Sequence, residues 1–406
     1  MLQFKSLTII LILWFTGLCA AAQFAKIGHV LPELQSLYPN AGSSLGFLVS
    51  LISLMGAMLG VIAGLLVRHF GSYSVLLAGL ALGCLVSLIQ STELPFSVFL
   101  FSRVLEGLSH LAIVVGAPTL MALHSPSKMR AAAMTLWGTF FGVAYAVTAV
   151  LGLPLVEKYG VHALFLTHAV LIGIVTILVT IAVPKSPTPS ISNHQKHTPP
   201  SKHNDKSDAL NLRFIYALHK DSWTSPTIAA PAAGWLFYTI TFVAMLAIVP
   251  TLLPESERAI ALTVLPLVGI VISMTLGVLL LRRFSAVHVL TAGFIIAIVS
   301  ALSFLVFDKN AFFMLLLFAS LGLVQGASFA AIPQLNKSTD AQASANGAFA
   351  QAGNLGNVLG TPLLLLVVNS SGVTAMIAVV ILCYLAAISI HLYFAKQRSQ
   401  NPINSL

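Results

Sequence analysis

The sequence predicts an all-α polytopic membrane protein, with twelve transmembrane helices in two pseudo-symmetric six-helix bundles. Three observations predict it. Charge is scarce: 20 Lys+Arg and 11 Asp+Glu make up 8% of 406 residues, against about 25% in a soluble domain. The apolar set is 58% before the 28 glycines are added, and mean hydropathy is +0.96. Too little polar surface remains to cover a soluble core, which excludes soluble enzymes, DNA-binding proteins and disordered chains. Apolar runs of spanning length also recur along the whole chain, and the second half repeats the first.

Each crossing needs about 20 apolar residues. The runs place spans 1 to 12 at 6–30, 43–67, 73–91, 96–123, 131–154, 161–183, 227–250, 260–281, 286–306, 311–333, 341–368 and 373–394. Membrane strands would be about 9–11 residues long and alternate in polarity; these runs are about twice as long and continuously apolar. Span 1 opens like a secretion signal, with Lys5, an apolar stretch from Leu7 to Phe15 and a small-residue cluster at Ala20, Ala21 and Ala22. The apolar character continues through Phe24, Ala25 and Ile27 to Leu31, so a retained first helix is expected. Cys19, Cys84 and Cys383 all lie in apolar runs and read as small packing residues rather than a disulfide framework.

Residues 184–226 break the pattern. They begin Pro-Lys-Ser-Pro-Thr-Pro-Ser and continue in His, Lys, Asn and Asp. This composition supports no packed core, and a flexible linker is expected. The organisation is then an N-terminal bundle (1–183), the linker (184–226), a C-terminal bundle (227–395) and a tail (396–406). His194, His197 and His203 lack ligand spacing or a cysteine partner, so no metal site is expected.

Lys and Arg orient the spans. With the N-terminus in the cytoplasm, fifteen of the twenty basic residues fall on the cytoplasmic side: Lys5, Arg68, Lys128, Arg130, Lys185, Lys196, Lys202, Lys206, Arg213, Lys220, Arg282, Arg283, Lys337, Lys396 and Arg398. Lys158, Arg258 and Lys309 fall outside. The net charge of +9 is therefore a topology signal rather than a nucleic-acid patch. Short basic loops fit a bacterial inner membrane with both termini cytoplasmic.

The halves resemble each other. LLVRHFGSYSVLLAG (65–79) and LLLRRFSAVHVLTAG (279–293) agree at eight of fifteen positions. Gly56, Gly60 and Gly64 correspond to Gly269, Ser273 and Gly277. Trp14 with Leu31-Pro32-Glu33 corresponds to Trp235 with Leu253-Pro254-Glu255, and Glu106-Gly107 to Gln325-Gly326. Parallel repeats of this kind mark secondary transporters whose site lies at the midplane between the halves.

At these residues the chain resembles the major facilitator superfamily, over nearly its whole length. The family's loop motif between spans 2 and 3, roughly Gly-x-Leu-x-Asp-Arg-x-Gly-Arg-Arg, stands here as Gly64-Leu65-Leu66-Val67-Arg68-His69-Phe70-Gly71-Ser72-Tyr73. Gly64 and Gly71 match; Arg68 replaces the acid, and Ser72 and Tyr73 replace the basic pair. Gly64, Arg68 and Gly71 are the candidate conformational gate, in a form that departs from the family's charged latch. The span 4 motif appears as Arg103-Val104-Leu105-Glu106-Gly107-Leu108-Ser109. The span 5 antiporter motif keeps Gly138 and Gly142 but has Val143 for proline. The resemblance implies two bundles rocking about a cavity. Spans 1, 4, 7 and 10 would line it, spans 2, 5, 8 and 11 would join the halves, and spans 3, 6, 9 and 12 would face lipid. The glycine series of span 2, and Gly353, Gly356 and Gly360 of span 11, fit close helix packing.

Ionisable groups inside a span cost about 2.5–3.5 kcal/mol on insertion scales, so they face partners or wet cavities. Span 4 places Arg103, Glu106 and His110 on one face. Span 1 carries Gln23 and Lys26. The resemblance makes spans 1 and 4 neighbours, so a Lys26–Glu106 or Arg103–Glu106 pair is geometrically possible, either as a stabilising network or as the working site. Two cations against one anion suit an anionic substrate. Glu106 is the candidate carrier of a coupling proton, with His110 as the alternative. The second half supplies neutral candidates: Tyr238, Gln325, Asn354 and Asn357. Trp235, Thr239 and Gln351 are further polar groups there, and His168 and His391 read as lipid-interface or packing residues.

The expected function is secondary active transport of a small solute, with an anion favoured, by alternating access and coupled to protons. A multidrug or metabolite efflux antiporter is the alternative within transport. A transporter-like sensor or scaffold is the alternative from another class. One intramembrane carboxylate, with no nucleophile–base pair or metal motif, argues against a membrane enzyme. The expected partners are a small molecule, protons and the lipid bilayer around a monomer, with no cofactor and no nucleic acid.

Overall fold

The computed structural model describes residues 2–185, 212–252, 264–307 (266 aside) and 310–400. His194, His197, His203, Lys196, Lys202, Lys206, Leu253-Pro254-Glu255, Arg258 and Lys309 lie outside them. Among the described residues there is no strand. Buried backbone in a bilayer must satisfy its own hydrogen bonds, and helices do so within one segment.

The N-terminal half runs α1 (Leu2–Gly28), a short α2 (Leu31–Leu37), α3 (Gly46–Phe70), α4 (Ser72–Gln90) and α5 (Phe96–His124). Then follow α6 (Ser127–Gly138), α7 (Phe140–Val147), α8 (Leu153–Tyr159) and α9 (Val161–Ala182). Span 5 is thus not one helix. It steps at Thr139 between α6 and α7, and through a π-helical turn at Thr148–Gly152 before α8, where Pro154 cannot supply a backbone donor.

The C-terminal half comprises α11 (Ala229–Leu252), α12 (Leu267–Leu281), α13 (Ala286–Val306), α14 (Ala311–Leu335) and α15 (Thr339–Gln400). At 62 residues, α15 would be about 93 Å long if straight, three times the hydrocarbon core. Gly372 folds it back, with φ +81° and ψ −179°, a conformation that glycine reaches without a Cβ clash. Among the described residues, ten helices are long and apolar enough to cross a membrane. Counting α15 as two crossings and adding the shorter α12 agrees with twelve spans.

One part of the expected linker is ordered. Residues 212–224 form α10 (Leu212–Thr224). Leu218 and Trp223 pack onto the main core, while Tyr216, Lys220 and Asp221 stay exposed. The one-sided apolar face explains why this stretch folds although the polar tract before it gives no such pattern.

The halves meet along two seams. At one, α3 lies against the first arm of α15. A Cβ on Gly60 would sit 2.5–2.7 Å from Gln351, backbone included, and one on Gly347 would sit 2.6 Å from the Gly60 carbonyl. Gly353, Gly356 and Gly360 do not serve this seam. They face Trp235, Thr239 and Ile240 of α11, inside the C-terminal half. A helix turns 100° per residue, so 353, 356 and 360 share one face while 347, 351 and 354 occupy the opposite one. At the other seam, Gly138 meets Phe329, Gly142 meets Ile270, and Gly326 meets Thr135 and Ser273. Hydrogen bonds that cross between the halves among the described residues include Gln325 Nε2 to the Gly138 carbonyl (2.6 Å), Asn346 Nδ2 to Thr119 Oγ1 (3.0 Å) and Gln351 Nε2 to the Ala57 carbonyl (2.9 Å). The Asn346–Thr119 bond lies toward the helix ends that carry Arg68, Lys128, Arg130, Arg282 and Lys337 (the basic face), whereas Gln325 and the Gln351–Ala57 pair lie near the middle of their helices.

Candidate functional site

The charged residues of α1 and α5 converge. Lys26 Nζ lies 2.6 Å from Glu106 Oε1, and Arg103 Nη1 bonds Glu106 Oε2 one turn along the same helix. All three side chains are at most 1% exposed. These are the only ion pairs among the described residues.

Each cation has further partners. Arg103 Nε donates to the Leu48 carbonyl of α3 (2.7 Å), and Nη2 to the Gln23 carbonyl of α1 (3.0 Å). Lys26 Nζ donates to Ser87 Oγ (2.9 Å) and Gln90 Oε1 (2.8 Å) on α4 and contacts His168 Nδ1 (3.2 Å) on α9. Gln90 Nε2 returns to Glu106 Oε2 (2.9 Å) and Ser102 Oγ (2.8 Å). His168 Nε2 donates to the Cys19 carbonyl (2.9 Å), which leaves Nδ1 as the acceptor facing Ser87 (2.8 Å) and Lys26. One tautomer of His168 thus accounts for all of its ring contacts.

Five helices, α1, α3, α4, α5 and α9, therefore hold one carboxylate between two cations. Pairing in a low-dielectric interior strengthens each contact, but two charges cannot both be neutralised by one anion. With Lys26, Arg103 and Glu106 ionised, the cluster carries one excess positive charge.

The other candidates are placed as follows. Gln23 donates from Nε2 to Ser109 Oγ (3.0 Å), beside the cluster. His110 donates from Nδ1 to the Ala20 carbonyl (3.0 Å) and packs edge-on against Phe24. It shares the helix face with Glu106 but contacts neither cation. Tyr238 stacks between Trp235 and Phe242, with ring centroids 4.4 and 5.0 Å away. Gln325 joins the halves at Gly138. Asn354 packs on Gly56 and bonds the Ala350 carbonyl within its own helix (2.8 Å). Asn357 is half-buried on α15. None of these four C-terminal residues shares a hydrogen bond with the charged cluster. Gly64 sits at the α3–α15 seam against Ala343 and Ser344. Gly71 (φ +83°) turns the chain between α3 and α4, and Arg68 is exposed beside it.

Ser87, Gln90 and His168 escaped sequence reasoning as parts of the cluster. His168 reads as an interface or packing residue because its helix is otherwise apolar. The structure buries it against Lys26. The available signal was the coincidence of three polar groups, Ser87, Gln90 and His168, on spans expected to face lipid.

No group of three or more His, Cys, Asp or Glu side chains among the described residues has the arrangement of a metal site.

A bundle of apolar spans split into two repeats, with the buried ion pairs among the described residues held at the α1–α5 contact, defines the class of a polytopic transporter. The family model of the Major Facilitator Superfamily matches residues 13–361, most of the chain, and the protein belongs to that family, as an integral membrane protein rather than an enzyme. It is 27% identical over 179 residues to the inner membrane transport protein YajR of Escherichia coli, covering 43% of this chain and 39% of that one. It is 27% identical over 177 residues to the 4-hydroxybenzoate transporter PcaK of Pseudomonas aeruginosa, covering 43% and 38%. The chain thus spans about two fifths of the length of these curated relatives. The fold is similar to that of the proton:xylose symporter XylE, with a TM-score of 0.73 at 12% identity, covering 97% of this chain and 96% of that one.

Proposed function

We propose that this protein is a proton-coupled secondary transporter of a small anionic solute, working by alternating access in a bacterial inner membrane with its basic face toward the cytoplasm. The observation that carries the reading is the buried Lys26–Glu106–Arg103 cluster. A buried one-to-one pair already gains little stability over apolar packing, and a second cation makes the arrangement costlier. A structural brace has no use for that excess charge, whereas a carrier of anions does. Glu106 is the one carboxylate at this depth among the described residues, and a proton exchanged there would switch the cluster's charge by one unit. His110, on the same helix face, is the alternative proton carrier. PcaK, a 4-hydroxybenzoate transporter and so a carrier of a carboxylate, is a relative consistent with this chemistry.

Proteoliposome flux with a panel of carboxylates and organic phosphates, with and without a pH gradient, tests the reading. Glu106→Gln is expected to abolish gradient-driven movement while counterflow exchange persists. Driven transport surviving in Glu106→Gln would refute the coupling role. Wild-type protein that moves no solute in response to a gradient would refute secondary transport itself.

A further inference from the structure

The positive-inside rule needs only that basic residues lie on one side of the membrane; it does not require them to meet. Four of them do. Lys128 and Arg130, at the start of α6, line a single cleft of about 590 Å³ together with Arg282 after α12 and Lys337 after α14. Its remaining walls are Ser127, Ala131, Leu281, Ala330, Pro333 and Gln334. No carboxylate among the described residues lines it. Lys128, Arg282 and Lys337 are exposed, and none of the four residues forms an ion pair among the described residues. Arg130 is half-buried. Its Nη2 reaches the Ser125 carbonyl at 3.5 Å, and its Nε is buried without a hydrogen-bond partner.

The cleft has two further properties. It sits at the seam where α6 of one half meets α12 and α14 of the other, at the level of the basic loops. Two of its cations belong to the N-terminal half and two to the C-terminal half, so closing this seam brings four like charges together. Unscreened, they oppose closure, and a polyvalent anion would remove that opposition. Arg and Lys converging from several elements around an open polar volume suit a phosphate, which Arg engages through its planar fork and Lys as a point charge. Basic pockets between membrane helices on this side are suited to anionic headgroups.

We propose that this cleft is a binding site for a phosphate-bearing anion, that the anion bridges the two halves, and that it stabilises the conformation closed at the basic face. The site is separate from the Lys26–Glu106–Arg103 cluster and does not depend on which solute the protein carries. A ligand that touches both halves only when they are closed binds that state better and shifts the population toward it.

Native mass spectrometry of the full-length protein in detergent tests this, with dioleoyl-phosphatidylglycerol, dioleoyl-phosphatidylcholine and inorganic pyrophosphate titrated separately. The wild type is expected to retain phosphatidylglycerol at least about tenfold more strongly than phosphatidylcholine, at one saturable site. The variant Lys128→Gln/Arg282→Gln/Lys337→Gln changes only exposed side chains and is expected to lose that preference with its melting temperature preserved. Arg68→Gln, on the other seam, is expected to keep it. Saturable pyrophosphate binding that the triple variant loses, without a lipid preference, assigns the same site to a soluble phosphate compound. Equal retention of the two lipids together with no pyrophosphate binding overturns the proposal. So does a phosphatidylglycerol preference undiminished in the triple variant.

Discussion

Gly60→Val tests whether glycine packing along α3 holds the two halves together. Even a bare Cβ at position 60 would lie 2.7 Å from the Gln351 Cα and amide nitrogen, which are backbone atoms and cannot rotate away. Ordinary contact begins at 3.4 Å, so the helices must part by about 0.7 Å before the rest of the valine is placed. A radial gap of 0.5–1 Å forfeits about a quarter to a half of each dispersion contact along the seam. Overpacking of this kind costs about 1–3 kcal/mol. Valine's own helix propensity offsets only a few tenths of that. The closed arrangement should therefore lose about 5- to 150-fold in population against any state in which α3 and α15 separate. The assay is the distance distribution between spin labels at Arg68→Cys and Asp340→Cys, with Cys19, Cys84 and Cys383 replaced by alanine. Gly46→Ala is the control, because nothing lies within 4 Å of a Cβ there. A Gly60→Val distribution and melting temperature both equal to those of Gly46→Ala would refute the reasoning.

Two further outcomes follow from the same geometry. Gln351→Leu removes the bond to the Ala57 carbonyl and leaves Trp223 Nε1, 3.0 Å from Gln351 Oε1, without its acceptor. A net cost of about 1–3 kcal/mol is expected, read as increased proteolytic cleavage before α10 and a longer label distance across the seam; unchanged cleavage and distance would show that Gln351 does not tie α10 to the closed state. Within the charged cluster, Glu106→Gln leaves two buried cations without an anion and should cost about 3–5 kcal/mol, whereas Lys26→Met leaves a balanced Arg103–Glu106 pair. Thermal unfolding in detergent should therefore place Lys26→Met well above Glu106→Gln; the reverse order would mean that Lys26, through Ser87, Gln90 and His168, is the structural keystone.

Glu106→Gln thus has two separable readouts. Loss of driven flux with counterflow intact reports coupling, while a fall in melting temperature reports the cost of orphaned cations. A variant that still exchanges solute has kept its fold, so the two effects do not masquerade as each other.

The sequence by itself determined the solvent this protein lives in, the number of its crossings and its duplication. Those properties follow from length and polarity summed over about 20 residues, and such sums do not depend on packing. It also brought Lys26, Arg103 and Glu106 into view, because a charge within an apolar span is costly enough to stand out wherever its partner lies. Only the tertiary structure decided the partners. Ser87, Gln90 and His168 join the cluster from helices whose overall apolarity hides them. Gly353, Gly356 and Gly360 turn inward to α11, while Gly347 and Gln351 take the seam, because rotation about a helix axis is fixed by neighbours rather than by spacing alone. Residues 212–224 become a helix because the assembled bundles offer Leu218 and Trp223 a surface. The basic loops show the same division. Polarity put them on one side of the membrane, and the closing of two halves gathered four of their charges into one cleft.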